Sequence, residues 1–112
     1  MATEDEAQAA VDSFIGKFDK VDLAKREQLP DRTLAIYLLD LDITFAGNLK
    51  SGCFENVRVE HGDHKAQVRL MLSSDDLIAM NEGKLHFAQA WATGQVHLDA
   101  SFRDLLRLRA LA

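Results

Sequence analysis

The chain has 112 residues, 47% of them hydrophobic and 28% charged, enough to bury one core and too few for two, so a single domain over residues 1–112 is expected. A formal net charge of −5 without a dominant patch of Lys and Arg argues against phosphate neutralisation, and hence against nucleic acid as a partner. The one cysteine, Cys53, excludes an intrachain disulfide and a thiolate metal cluster and fits a reducing compartment; the acidic opening MATEDEAQ and a longest apolar run of only Leu34 to Leu39 predict a cytoplasmic protein without stable membrane insertion.

Thr3 stands three residues before Glu6, the reciprocal capping spacing, and Ala7, Ala10, Val11, Phe14, Ile15 and Phe18 recur at helical intervals. An amphipathic opening helix is predicted. Asp22 to Gln28 reads as a second short helical piece ended by Pro30. From Thr33 to about Ala46 the odd positions Ala35, Tyr37, Leu39, Leu41, Ile43 and Phe45 are apolar and the even ones turn polar from Asp40 onward, the pattern of one long or bent strand, or of two.

Gly47-Asn48 and Ser51-Gly52 supply turn chemistry, after which Cys53 to Glu60 is β-rich with Val57 and Val59 on one face. His61-Gly62-Asp63-His64 reads as a hairpin turn. Lys65 to Leu72 then alternates, with Ala66, Val68, Leu70 and Leu72 on one face and Lys65, Gln67 and Arg69 on the other, as in an antiparallel sheet with one wet face. Ser73, Ser74, Asp75 and Asp76 mark a helix start; Leu77, Ile78 and Met80 follow, and Gly83 is the stop. A second short helix, about His86 to Thr93, carries Phe87, Ala90 and Trp91 and ends at Gly94. Gln95 to Ala100 is a strand with Val96, Leu98 and Ala100 inward. Ser101, three residues ahead of Asp104, opens a last helix bearing Leu105, Leu106, Leu108 and Leu111, with Arg103, Arg107 and Arg109 as cations matching its dipole.

Little of this composition is built for chemistry. Ser73, Ser74 and Ser101 are better used as caps, and Ser51 as a turn residue, than as nucleophiles. Cys53 reads as a small buried apolar group. His61 and His64 flank Asp63 at a metal-like spacing, yet they fall in a turn without a partner motif, and a solvated turn is the simpler reading. His97 and Asp99 share the outward face of a strand, where an imidazole and a carboxylate can meet. Asp40 and Asp42 likewise share a strand face, without an acid and base role for either. No phosphate loop or dinucleotide fingerprint is present. No catalytic residue, metal or cofactor is therefore assigned. What remains is an apolar set, Leu72, Leu77, Met80, Phe87, Trp91, Leu98, Leu105 and Leu108, which by spacing alone reads as plain core.

The order of these pieces carries more than any one of them. The run VRLMLSSDDLIAMNEGKLHFAQAWATGQVHLDASFRDLLRLRAL, from Val68 to Leu111, resembles the C-terminal half of the sterol carrier protein type 2 family in its strand, Ser-Asp helix start, Gly-Lys-Leu, short aromatic helix, Gly, strand and Leu-rich last helix. Ser74, Asp75, Asp76, Leu77, Gly83, Lys84, Leu85, Ala90, Trp91, Gly94, Val96, Leu98, Leu105 and Leu108 carry the match; the first 67 residues match in layout only. The resemblance implies an α/β (α+β) fold in which about five mostly antiparallel strands form a curved sheet covered on one face by helices. It further implies a pocket for a fatty acyl chain, a sterol or a similar lipid, with no metal, and makes the eight apolar residues its wall. The chain departs from the pattern at Ala100-Ser101-Phe102, which replaces a glycine-containing turn, and at Leu111-Ala112, which is no peroxisomal address. Two other readings are an interaction module with a filled pocket that docks a protein partner, and an accessory domain to a separate enzyme.

Overall fold

The computed structural model describes residues 3–18, 31–50 and 53–111, with the side chains of 18 and 107–111 left aside. The expected short helix at Asp22–Gln28 and the Ser51-Gly52 turn lie outside the described residues. Helix α1 spans Glu4–Phe18. Its capping box forms in both directions, with the Thr3 amide donating to Glu6 Oε1 at 3.1 Å and the Glu6 amide donating to Thr3 Oγ1 at 3.2 Å. Ala7, Ala10 and Val11 are buried on its inner side, and Phe14 and Ile15 pack against the core.

Strands β1 (Arg32–Leu38), β2 (Ile43–Lys50), β3 (Cys53–His61), β4 (Val68–Leu72) and β5 (His97–Asp99) form one sheet in the order β3-β2-β1-β4-β5. Helices α2 (Ser74–Asn81) and α3 (Phe87–Thr93) lie between β4 and β5 in the chain, and α4 (Phe102–Leu111) follows. Three neighbouring pairs are antiparallel, but β1 and β4 run parallel at the centre. The sheet is thus mixed. The cause is topological: the chain leaves β3 at one edge and re-enters on the far side of β1.

Residues 61–64 therefore begin a crossover and do not form the expected hairpin turn. The expected strand start at Lys65 moves to Val68. Just before it, Gln67 pairs with Thr33 through side chains, Thr33 N donating to Gln67 Oε1 at 3.0 Å and Gln67 N to Thr33 Oγ1 at 2.8 Å, in place of ladder bonds.

The odd-position reading of residues 33–46 holds for half its length. Ile36 and Leu38 in β1 face the core, as do Ile43 and Phe45 in β2. Leu38 is paired with Ile43 and Ile36 with Phe45; antiparallel partners share a face, so an even position in one strand meets an odd one in the next. The parity flips across residues 39–42, where Asp42 takes a left-handed φ of 53° and Leu39 is left exposed. The turn expected at Gly47-Asn48 is instead interior strand. Gly47 is there because a Cβ would lie 2.8 Å from the Glu55 carbonyl oxygen, beside a register irregularity in the β2–β3 pairing.

One face of the sheet, through Ile36, Leu38, Ile43, Phe45, Leu70 and Leu72, packs on Ala7, Ala10 and Val11 of α1, Leu77 of α2 and Ala90 of α3. The helices cover that face. On the other side Thr44 Oγ1 donates to the Gly62 carbonyl at 2.5 Å, bringing the crossover against the sheet.

Candidate functional site

The helix–sheet seam is built from local signals. Ser73 caps α2, its side chain accepting from the Asp76 amide at 3.1 Å, and Gly94 ends α3 with a left-handed φ of 83°. A second device holds α2 from outside the helix. Asp40, in the β1–β2 turn, accepts from the Ser74 amide at 2.8 Å and from the Ser74 hydroxyl at 2.5 Å, and Ser74 is fully buried. Burial works to raise the Asp40 carboxyl, but the bonds from the Ser74 hydroxyl and amide and from its own amide outweigh it and hold the group below its ordinary value. Ser74 is thus a clamp residue, not only a helix-start signal. At the other end of α2, Asn81 Nδ2 donates to the Ala10 carbonyl at 2.8 Å and the Asn81 carbonyl accepts from Lys17 Nζ, tying α2 to α1.

On this frame the eight predicted wall residues divide. Leu72 and Leu77 are fully buried members of the core; Met80, Phe87 and Leu98 are half-buried and packed against it. Trp91, also half-buried, sets its ring 6.0 Å from that of Phe87 at 44°. Leu105 is half-buried on α4. Leu108 falls on α4, and its side chain lies outside the described set. Ile78 and Leu85 join the half-buried group at the core margin without having been singled out, although Ile78 follows Leu77 directly and Leu85 closes the Gly-Lys-Leu motif.

Helix α4 is fixed to the start of β1. Asp104 is 5% exposed and its Oδ2 accepts from Arg32 Nε at 3.0 Å, while its amide donates to Ser101 Oγ at 3.3 Å. Ser101 thus serves as the expected cap.

The polar candidates are dispersed into structural pairs. Tyr37 donates to Asp42 Oδ1 at 2.5 Å, so Asp40 and Asp42 serve different partners and do not act as two carboxylates on one strand face. Asp99 meets Arg69 Nε at 3.2 Å, an ion pair without hydrogen-bond alignment, since that nitrogen finds no hydrogen-bond partner. Arg69 also donates to Asp63 at 2.8 Å. The His64 side chain is 43% exposed, with Nδ1 2.8 Å from Glu60 Oε2 and Nε2 2.8 Å from the His61 carbonyl oxygen. Cys53 is exposed at the start of an edge strand, which corrects its reading as a buried apolar group. Among the described residues no group of three or more His, Cys, Asp or Glu is placed to hold a metal ion, and no helix is long and apolar enough to cross a membrane.

A mixed five-stranded sheet with helices on one face and a half-buried apolar margin at the seam defines a small α+β class of proteins. Within it the chain belongs to the SCP-2 sterol transfer family, whose profile it matches over residues 13–112. The fold is that of a sterol carrier protein 2 crystal structure, with a TM-score of 0.68 and 16% identity over 93% of this chain and 84% of that one. It is likewise that of sterol carrier protein 2 like 2 from Aedes aegypti, with a TM-score of 0.64 and 15% identity over 96% of each chain. Identity is higher, at 28%, to part of the stereoselective inverting sec-alkylsulfatase Pisa1 from Pseudomonas sp., with a TM-score of 0.58. That match covers 87% of this chain and only 16% of the enzyme; against a double mutant of the enzyme the chain covers 14% of its length. No curated protein sequence matches the chain.

Proposed function

We propose that the chain is a single lipid-binding domain that holds a fatty acyl chain, a sterol or a similar apolar ligand between helices and sheet, with no catalysis by its own side chains. The observation that carries this reading is the match to the sterol transfer family across residues 13–112. Two things support it. Met80, Phe87, Trp91, Leu98 and Leu105 are large apolar side chains left half-buried on elements that flank the buried core, and a structural relative was solved as palmitated SCP2L2 from Aedes aegypti. Leu72 and Leu77 then form the floor, Met80, Phe87, Trp91 and Leu98 the wall, and Leu105 the side toward α4.

The energetics need no ionic handle. Each methylene removed from water contributes about 0.8 kcal/mol, so a sixteen-carbon tail gains on the order of 10 kcal/mol before ordering costs. The thioether of Met80 adapts its shape readily, which suits a mixed ligand pool. A lone cysteine fits a cytoplasmic setting.

The test is native mass spectrometry with lipid extraction of the purified chain, followed by titration with a fluorescent fatty acid. Co-purified lipid, competitive displacement, and at least tenfold weaker uptake by a Leu98→Arg variant of unchanged circular dichroism are expected. A chain that takes up no fatty acid, carries no lipid and associates as concentration rises is instead an interaction module.

The 28% identity to part of a sec-alkylsulfatase favours a second reading, in which the domain accompanies an enzyme and holds the alkyl tail of its substrate. Long-chain sec-alkyl sulfates that displace the fluorescent fatty acid as well as fatty acids do would support it. Sulfates that fail to compete would remove it.

A further inference from the structure

The edge strand β3 carries a surface that the helix–sheet seam does not use. Asn56 takes a left-handed φ of 56° beside the register irregularity in the β2–β3 pairing, and after His61 the chain leaves the edge, so Val57–His61 is an unbroken run of five residues. Val59 and His61 pair with Phe45 and Ile43 and so lie on the face that the helices pack against, while Arg58 and Glu60 pair with Ala46 and Thr44 on the other. The Gly62 amide donates to the Asp42 carbonyl at 2.7 Å. By alternation along an antiparallel ladder, the backbone groups of Arg58 and Glu60 then face β2, and those of Val57, Val59 and His61 point away from the sheet. Among the described residues one further partner meets these outward groups, His64 Nε2 on the His61 carbonyl, and that oxygen keeps a second lone pair. Val59 is 40% exposed although it lies on the helix-packed face.

Outward backbone groups on an edge are a template for another strand, and the sequence of this run selects which strand. A two-fold axis perpendicular to the sheet preserves its faces, so a residue meets only residues of its own parity in the other copy. Three registers overlap the two runs by three residues or more. With Arg58 on the axis two arginines meet, and with Glu60 on the axis two glutamates meet. With Val59 on the axis the whole run pairs, Val59 with its counterpart, Val57 with His61 and Arg58 with Glu60. That register covers the exposed valine and opposes unlike charges. Arg58 Nε already donates to Glu60 Oε1 of its own chain at 2.5 Å, and the guanidinium has further donors for a second carboxylate. We propose that the chain forms a weak two-fold dimer by antiparallel pairing of β3 with β3 of a second copy, in the register that places Val59 on the axis. The sheet then runs on across both copies, with both helix layers on one side. Because β3 and β5 are opposite edges, the Leu98 side of each copy stays uncovered. The proposal goes beyond the carrier reading and does not depend on it.

Sedimentation velocity of the purified full chain from about 10 µM to about 1 mM tests it, under reducing conditions so that Cys53 cannot link copies covalently. A strand pair of this size buries less than the ~1,200 Å² of a standard interface, so half-dimerisation is expected near roughly 100 µM. Arg58→Glu and Glu60→Arg should each weaken association about tenfold, because each sets like charges opposite one another twice. An equimolar mixture of the two variants restores unlike pairs in the heterodimer and should associate as the parent does; no contact elsewhere on the surface predicts this. Val59→Lys should stay monomeric. Circular dichroism checks each fold. Arg58→Glu with Glu60→Arg in one chain exchanges the signs and keeps the pairs within and between copies, so it should dimerise like the parent. Three results overturn the proposal: a parent that stays monomeric throughout the range, which would leave the edge to a strand of another protein; association that Val59→Lys and the charge variants leave unchanged; or a mixture that associates no better than its components. Fatty-acid uptake is read on the same samples. A dimer without uptake sinks the carrier reading alone, and uptake by a strict monomer sinks the dimer alone.

Discussion

The clamp between the β1–β2 turn and α2 predicts a large loss of stability from a single exposed carboxylate. In Asp40→Ala the buried Ser74 loses the carboxylate that accepts from both its amide and its hydroxyl. A hydrogen bond to a charged group contributes about 1.5–3 kcal/mol; because water reaches the far side of Asp40, the low end applies, and the pair together should be worth about 2–3 kcal/mol. With 112 residues, each kcal/mol moves Tm by about 4 °C, so a drop of about 10 °C is expected. Ser74→Ala removes the hydroxyl along with its need for a partner and leaves the amide bond in place, at about 1 kcal/mol. The pH dependence has a definite sign. The folded carboxyl is held below its ordinary 3.8, so its contribution is complete above that value and is lost as pH falls through the folded one. The stability gap between the parent and Asp40→Asn should be constant from neutral pH down to about pH 5 and close on further acidification. Thermal melts of parent and variants across this range provide the assay. An Asp40→Ala melting point within about 2 °C of the parent, or a gap to Asp40→Asn that persists in strong acid, refutes the clamp as the anchor of α2.

Leu77→Ala should cost about 3 kcal/mol in urea unfolding, since Leu77 is fully buried and the space it leaves has limited means to collapse; a loss below about 1 kcal/mol would show that α2 settles onto the sheet. Gly47→Ala should cost about 1–3 kcal/mol, because its Cβ meets the Glu55 carbonyl at 2.8 Å and backbone must move. Hydrogen exchange would locate that loss in the β2–β3 pair, and uniform acceleration across the sheet would contradict it. Tyr37 is the one tyrosine of the chain, and its hydrogen bond to Asp42, with burial and the nearby carboxylates adding, raises its phenol above the ordinary 10.0. An ultraviolet titration of the folded protein should show the raised midpoint, and Asp42→Asn should bring it back toward the ordinary value.

Helix ends were legible in the sequence because the groups that make them are neighbours in the chain. Thr3 with Glu6, Ser73 with Asp76, and Gly94 at a left-handed cap all stand where their spacing puts them. The strands were legible as apolar segments but not in their phase or direction. Parity across residues 39–42 depends on the length of a turn rich enough in leucine to read as strand, and the parallel β1–β4 pairing depends on where a crossover lands. Gly47 looked like a turn because glycine is ambiguous from sequence: the lack of a side chain suits a bend and a close strand approach equally well. Local rules could not choose, since the deciding atom belongs to Glu55 in the next strand.

The seam shows the same division between type and role. Spacing selects Leu72, Leu77, Met80, Phe87, Trp91 and Leu98 as inward-facing, but it cannot separate those that close the core from those at its margin. Leu72 and Leu77 are fully buried members of the cluster that the sheet forms with α1 and α3, whereas Met80, Phe87 and Leu98 are partly buried and packed against it. Removing atoms from the first two opens a void that costs about 24 cal/mol per Å³, and covering the others with an alkyl chain gains about 25 cal/mol per Å². Substitutions in the two groups should therefore change the response to a lipid ligand to different extents. A bound chain should raise Tm in the parent and in Leu77→Ala alike, and raise it less in Met80→Ala, where the rim has lost area to cover. Equal ligand-induced shifts in all three proteins would mean that the ligand sits elsewhere than against Met80.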